Sequence, residues 1–480
     1  MLSLIRRNKL FFLAFTVLGF LLRGTMLRWH FLFEGDSLVY GDLAKNWLLH
    51  GVYGLSTAKG VLPVNIRMPG YPAFLLACFR LFGVEHYSAV VRSQLAIDLL
   101  TCFLIAAGAR RLFSDGTAKI AFVLATLCPF LANYTATPLP ETPAIFAAAL
   151  ALLFALRAVD KMRQFPIWDV QHSFAIADWI VCGAAIAFSI YLRPDGGVLL
   201  IAIGIYLVWL AIRLHESDFF WSAVLLAAVS LLPLLPWAIR NWRTLHEVEP
   251  LAPFYAQLPG EYVPKGFNRW TKTWVIDFYS VMNVEWNVTT EGEGETVDLK
   301  DVPARAYDNA QQQAQTQQVL DEYNQALNLT PAMDAQFAQL ARERIQAHPV
   351  EYYVGLPLAR LADIWLRPRT ETLNLQLDWW NWEDTPQESA QSLALAALNF
   401  FYLVAAFLSL RRRLPGSALL WLFIICRSIL LATLPNPEPR YTLECFPAVL
   451  MLAGAGLGRA FARVGRADLN DQYRSAVANG

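Results

Sequence analysis

Asp36 stands just beyond the first long apolar stretch, in Phe33-Glu34-Gly35-Asp36-Ser37-Leu38-Val39-Tyr40, and one loop later comes Arg67-Met68-Pro69-Gly70-Tyr71-Pro72. A carboxylate within hydrogen-bond reach of a hydroxyl can take its proton. A guanidinium can grip a phosphate through two parallel hydrogen bonds. An acid and a base on one loop, at the mouth of a membrane bundle, therefore suit chemistry on a lipid-linked anionic substrate. Each has a plainer reading: Asp36 as a helix cap, Arg67 as an interfacial arginine reaching for water. Glu34 and Asp42 are weaker candidates, with Asp42 on a solvated face.

Further polar residues interrupt the apolar pattern. Glu141 precedes an apolar helix in Thr137-Pro138-Leu139-Pro140-Glu141-Thr142, where an acid either complements the helix dipole or faces a cavity. Arg193, Arg240 and Arg440 occur in Arg193-Pro194-Asp195, Trp237-Ala238-Ile239-Arg240-Asn241 and Glu438-Pro439-Arg440-Tyr441. Singly, each reads as an interfacial anchor. Together they place cations on the side that membrane proteins usually leave poor in them, which calls for an anion: protein carboxylates or a phosphate. Arg427 falls within an apolar run, where a charge is costly and marks either a site or a structural ion pair. No P-loop, dinucleotide fingerprint, HExxH or Cys/His metal cluster is present, so neither a nucleotide nor a catalytic metal is expected as cofactor.

These residues must be positioned by a membrane scaffold. Of 480 residues, 56% are hydrophobic and 16% charged, in long apolar blocks that suit a bilayer needing roughly 20 apolar residues per crossing. Net charge is zero, which gives no bulk field for nucleic acid. The six cysteines lie in or beside apolar stretches and read as core packing rather than a disulfide framework. Basic residues ahead of the first apolar run imitate a signal peptide, but no small-residue cleavage site follows, so the run reads as an uncleaved helix.

The expected fold is a polytopic α-helical bundle of about ten spans (range 9–13): 9–28, 88–109, 118–134, 140–157, 174–192, 195–213, 219–239, 391–410, 415–434 and 441–461. Cations at Arg6, Arg7, Lys9, Arg110, Arg111, Lys119, Arg157, Lys161, Arg163, Arg213, Arg411–Arg413, Arg459, Arg463 and Arg466 all then fall on one side, which puts both termini in the cytoplasm. Three regions follow: a transmembrane module 1–240 with an outer first loop 29–87, a mostly helical outer domain 241–390, and C-terminal spans with a tail, 391–480. In the loop, Asp36 can cap a helix through Trp47, and Tyr71–Phe82 is apolar but too short to span. In the outer domain an acidic patch at 291–295 precedes helical sequence over 303–347, and Glu351–Trp365 reads as an amphipathic helix. No internal repeat is evident, although a transporter of inverted halves would carry one.

In these motifs the chain resembles the GT-C membrane glycosyltransferases of glycosyltransferase family 39, with bacterial aminoarabinose-transferase-like and protein-mannosyltransferase-like enzymes as its nearest kin. The resemblance rests on Asp36 to Tyr40, Arg67 to Pro72, Glu141, Arg193-Pro194, Trp237 to Asn241 and Glu438 to Tyr441, with Met68 standing where Pro is common. It implies a GT-C bundle with a periplasmic helical domain in a bacterial inner membrane. It further implies a polyprenyl-phosphate sugar as donor and a lipid, polysaccharide or protein as acceptor. By the same resemblance Asp36 is the first-loop acid acting on the acceptor hydroxyl, and Glu141 is a cavity acid. Arg67, Arg440 and Tyr441 then contact the donor phosphate, with Tyr40, Tyr71, Arg193, Arg240 and Glu438 in support. The expected reaction is a single inverting displacement. The competing readings are a polyprenyl-phosphate or lipid flippase, which needs the arginines but no poised acid, and a non-catalytic scaffold, which needs neither.

Overall fold

The computed structural model describes every residue except Glu34, 165–169, Ala256, Pro259, Gly260, 291–293, Asn374, 412–415 and 459–480. Glu34, most of the acidic patch, and Arg412, Arg413, Arg459, Arg463 and Arg466 therefore lie outside the described residues. Among the described residues, eight helices are long and apolar enough to cross a bilayer: Lys9–Trp29, Tyr87–Leu112, Glu141–Gln164, Ala175–Leu192, Pro194–Leu214, Ser217–Leu245, Pro386–Arg411 and Pro439–Gly458. They coincide with eight of the ten expected spans, and the chain is a multi-pass membrane protein.

The other two expectations are modified. The stretch 118–134 is not one helix: Asp115–Thr126 ends, Cys128 adopts an extended backbone, and Pro129 opens the short helix Pro129–Tyr134. Proline has no N–H to continue a helix and disfavours helical backbone in the residue before it. The stretch 415–434 becomes Ser417–Thr433, a helix of 17 residues.

The chain divides into two compact units, Met1–Pro253 with Leu398–Cys426 and Leu443–Gly480, and Phe254–Ala397 with Arg427–Thr442. In the first unit, Glu141–Gln164 buries Ala144, Ala147, Ala148, Ala151, Ala155 and Ala158. Small side chains let neighbouring backbones approach closely where no hydrophobic effect drives helices together. The first span turns Leu10, Leu13, Phe20 and Leu21 outward, as a lipid-facing helix does. Its Arg23 is fully buried, donating from Nε to Asp98 at 2.6 Å and from Nη1 to the carbonyls of Gly19 and Thr126. One end of this unit is basic: Asp115 accepts from both Arg7 (2.8 Å) and Arg110 (2.7 Å), and Asp160 accepts from Arg111.

At the far end of the first span the chain enters three small elements: the helix Asp36–His50, a two-stranded antiparallel hairpin Gly54–Thr57/Gly60–Pro63, and the helix Gly70–Phe82. The hairpin is absent from the sequence-based expectation, being four residues a side with little alternation to read. Asn46 donates to the Gly54 carbonyl, and Asp42 accepts from the Ser56 N–H and hydroxyl, so the hairpin is pinned to the first of these helices.

The second unit has its own core of Phe267, Trp270, Trp274, Phe278, Val281, Phe337 and Leu340. The expected helix over 303–347 is two helices, Ala310–Ala326 and Pro331–Ala347. Leu327 takes a left-handed φ of +49°, and Thr330 caps the next helix by accepting from the Met333 N–H, so the chain stops and restarts there.

Candidate active site

Asp36 is the first residue of its helix, not its cap. Gly35 takes the cap position at φ +54°. The Asp36 carboxylate meets Arg67: Nη2 donates to Oδ1 at 2.7 Å, with both side chains partly open to solvent. The acid and base expected to act as partners are thus joined in space. The Arg67 guanidinium carbon also sits 5.9 Å from the centre of the Tyr40 ring, one helical turn beyond Asp36.

Arg67 owes its direction to close packing around it. Tyr53 donates its hydroxyl to the Arg67 carbonyl at 2.9 Å, and Met68 is buried. The Pro69-Gly70 step is not a positive-φ turn: Pro69 is helical in backbone and Gly70 begins the next helix. Glycine is there for proximity. A Cβ on Gly70 would lie 2.5 Å from the Tyr191 carbonyl oxygen and 2.9 Å from the Leu192 nitrogen. Tyr71, on the same helix, commits its hydroxyl to Gln94 at 2.7 Å, and Gln94 in turn donates to the Thr137 carbonyl.

A second ion pair lies close by. Glu141 opens its helix and is 3% exposed; Arg193 Nη1 donates to its Oε1 at 3.0 Å. Arg193 also reaches Asp195 at 3.3 Å and Glu444 at 3.8 Å, so protein carboxylates answer this cation. Tyr40 connects the two pairs. Its phenol is pushed up to about 12 by burial, and it lies in the fields of Arg67, Asp36, Arg193 and Glu141. Its ring meets Tyr71 edge-on at 5.1 Å. Both pairs and both tyrosines belong to the first unit.

Arg240 has another occupation. Its Nη1 and Nη2 donate to the carbonyls of Val64 (2.7 Å) and Tyr53 (2.6 Å), the residues bracketing the hairpin. Glu438, Arg440 and Tyr441 form a cluster within the second unit: Arg440 Nε lies 2.5 Å from Glu438, Tyr441 donates its hydroxyl to the same carboxylate, and Arg440 stacks 5.5 Å from the Tyr441 ring centre. Arg427 is fully buried in that unit and donates to the Tyr441 carbonyl at 2.9 Å. Sequence reasoning missed Tyr53, which follows the left-handed Gly51 and carries no motif. It also gave Arg23 no partner. A charge inside the first apolar run and another, Asp98, inside the second were the available signal. Among the described residues no group of three or more His, Cys, Asp or Glu side chains is arranged to hold a metal ion.

Residues 67–237 match the sequence model of the dolichyl-phosphate-mannose-protein mannosyltransferase family. No curated protein matches the chain by sequence. Among solved structures it is similar to the oligosaccharyltransferase AglB from Archaeoglobus fulgidus in complex with an inhibitory peptide and a dolichol-phosphate, at a TM-score of 0.53 and 13% identity over 97% of this chain and 52% of that one. An Archaeoglobus fulgidus oligosaccharyltransferase tethered with an acceptor peptide gives 0.55 and 13%, over 94% and 50%. ArnT from Cupriavidus metallidurans bound to undecaprenyl phosphate aligns over 93% of this chain and 77% of that one at 14% identity, with a TM-score of only 0.39. The chain spans about half the length of the oligosaccharyltransferase chains. By architecture it therefore has the GT-C membrane glycosyltransferase fold, and over residues 67–237 it carries the sequence pattern of the dolichyl-phosphate-mannose-protein mannosyltransferases.

Proposed function

We propose that the chain transfers a monosaccharide from a polyprenyl-phosphate-linked donor to an acceptor of the cell envelope, on the periplasmic face of a bacterial inner membrane. The observation that carries this reading is the Asp36–Arg67 pair, held at 2.7 Å on one loop and partly open to solvent. In the displacement, the acceptor oxygen forms a bond to the anomeric carbon as the bond from that carbon to the phosphate oxygen breaks, with inversion. The electron pair leaves with the polyprenyl phosphate, whose new charge Arg67 neutralises. Asp36 orients the acceptor hydroxyl through a hydrogen bond, and the proton passes to its carboxylate along that bond. Arg67 must exchange one anion for another: donor phosphate draws the guanidinium off the carboxylate and frees Asp36 for the acceptor. Glu141 and Arg193 add to the field around Tyr40. Both termini lie in the cytoplasm in this reading, following the basic short loops.

The test is mass spectrometry of envelope glycolipids and glycoproteins from cells carrying the wild-type chain or Asp36→Asn. A sugar adduct present only with the wild type supports the proposal. Identical adducts in both would overturn the role given to Asp36, and a change of leaflet without a covalent product would move the chain to the flippase class.

A further inference from the structure

Tyr53 makes a contact that the proposed reaction does not use directly. Its hydroxyl donates to the Arg67 carbonyl at 2.9 Å, while its own carbonyl accepts from Arg240 Nη2 at 2.6 Å. The other Arg240 nitrogen holds the Val64 carbonyl at 2.7 Å, and the Val64 N–H itself bonds to the Tyr53 carbonyl at 3.3 Å. Arg240 thus clips both ends of the hairpin neck, three residues before Arg67. The Tyr53 ring is fixed edge-on between Trp47 (5.4 Å) and Trp237 (5.0 Å), with the Arg240 guanidinium 5.4 Å above it. Trp47 lies on the helix that Asp36 begins, and Trp237 and Arg240 lie on Leu234–Leu245.

Such a packed tyrosine is stiff, because two aromatic edges and two hydrogen bonds leave its ring and hydroxyl a single arrangement. The chain between Val64 and Arg67 contains no helix or strand of its own, so its course depends on these anchors. Two more bonds hold it from the same side. Asn65 donates to Glu249 at 2.7 Å, and the Ala252 N–H points at the Met68 sulfur at 3.2 Å.

We infer that Tyr53 and Arg240 are positioning residues: Arg240 locks the hairpin neck, and Tyr53 uses that lock to aim Arg67 at the donor phosphate. The inference rests on the donor-phosphate role proposed for Arg67. It assigns Tyr53 no contact with substrate. Loss of its hydroxyl frees the Arg67 backbone, and the cost appears as weaker phosphate binding rather than as slower chemistry once donor saturates.

The experiment is a double-mutant cycle on the full-length protein in detergent micelles, with undecaprenyl phosphate as the binding probe. Tyr53→Phe keeps the ring between the two tryptophans and should weaken binding about three- to ten-fold, the worth of one net hydrogen bond. Arg240→Gln should do the same, and Arg240→Lys, which can still reach one carbonyl, should recover part of the loss. Added to Arg67→Ala, Tyr53→Phe should have no further effect, because a residue acting only through Arg67 has nothing left to aim. Thermal unfolding of each variant separates loss of fold from loss of aim. If Arg67→Ala weakens binding while Tyr53→Phe leaves it unchanged, or adds its full effect on top, the positioning role is overturned and the donor site stands. If Arg67→Ala leaves binding unchanged, the donor site and the positioning role both fall.

Discussion

Replacing Arg23 by methionine would leave Asp98 as an ion in a membrane bundle without its counter-charge. Both side chains are essentially sealed, at 0% and 1% exposed, so water cannot take over the role of either. The guanidinium also donates to the carbonyls of Gly19 (3.0 Å) and Thr126 (2.7 Å), and it lies 3.5 Å from the Cys102 sulfur. Removing one partner of a buried pair typically costs about 3–5 kcal/mol. Asp98→Asn keeps an acceptor in place and costs less, about 1.5–3 kcal/mol for one charge-assisted hydrogen bond. The double variant Arg23→Met/Asp98→Leu removes both charges together, so its loss should fall well short of the two single losses combined. Unfolding in mixed micelles with rising SDS, followed by tryptophan fluorescence, measures all three. Additive losses, or an Asp98→Asn loss within about 0.5 kcal/mol, the range of an inert surface change, would refute the staple.

Gly70→Ala should lower the unfolding midpoint, costing about 1–3 kcal/mol through collision with the Tyr191 and Leu192 backbone. Gly204→Ala, where a Cβ meets nothing within 4 Å, should be neutral or better in the same melt. Arg193→Met should destabilise by bringing buried Glu141 and Glu444 together without their shared cation, and Glu141→Gln in that background should restore part of the loss. In the second unit, burial raises Glu285 from 4.5 to about 7, against the opposing pull of Arg360 and a hydrogen bond from Asn436, with Glu438 adding to the rise. Folding then favours its neutral form. Stability from this group is intact below the unfolded value and declines by about 3 kcal/mol as pH rises toward 7. Asp363, also raised to about 7, adds in the same direction. Thermal unfolding between pH 5 and 8 should show that decline, and Glu285→Gln should make it shallower.

The spans were legible because a bilayer imposes one length and one polarity on every crossing, and eight apolar runs satisfy both. Asp36 and Arg67 were legible as an acid and a base on one loop. Their geometry was not. Hydropathy records which residues avoid water, not which neighbours they meet, so Arg23 and Asp98 stood out as charges in apolar runs but not as a pair. Arg240 illustrates the opposite error. An arginine beside a tryptophan at a helix end suits a phosphate or an interface equally well, and only the structure shows it serving the Tyr53 and Val64 carbonyls. A Pro-Gly dipeptide usually marks a turn, yet Gly70 opens a helix. The close pass of Tyr191 and Leu192, more than a hundred residues away in sequence, could not be read from local pattern.

The most direct test of the central proposal is single-turnover transfer in proteoliposomes loaded with a radiolabelled polyprenyl-phosphate sugar and an envelope extract as acceptor. Wild-type protein should place label covalently on the acceptor. Asp36→Asn should bind donor as tightly and transfer about 100- to 10,000-fold more slowly, the usual worth of a positioned acid–base group. Full transfer by Asp36→Asn, or label that crosses the bilayer without ever joining an acceptor, would contradict the account.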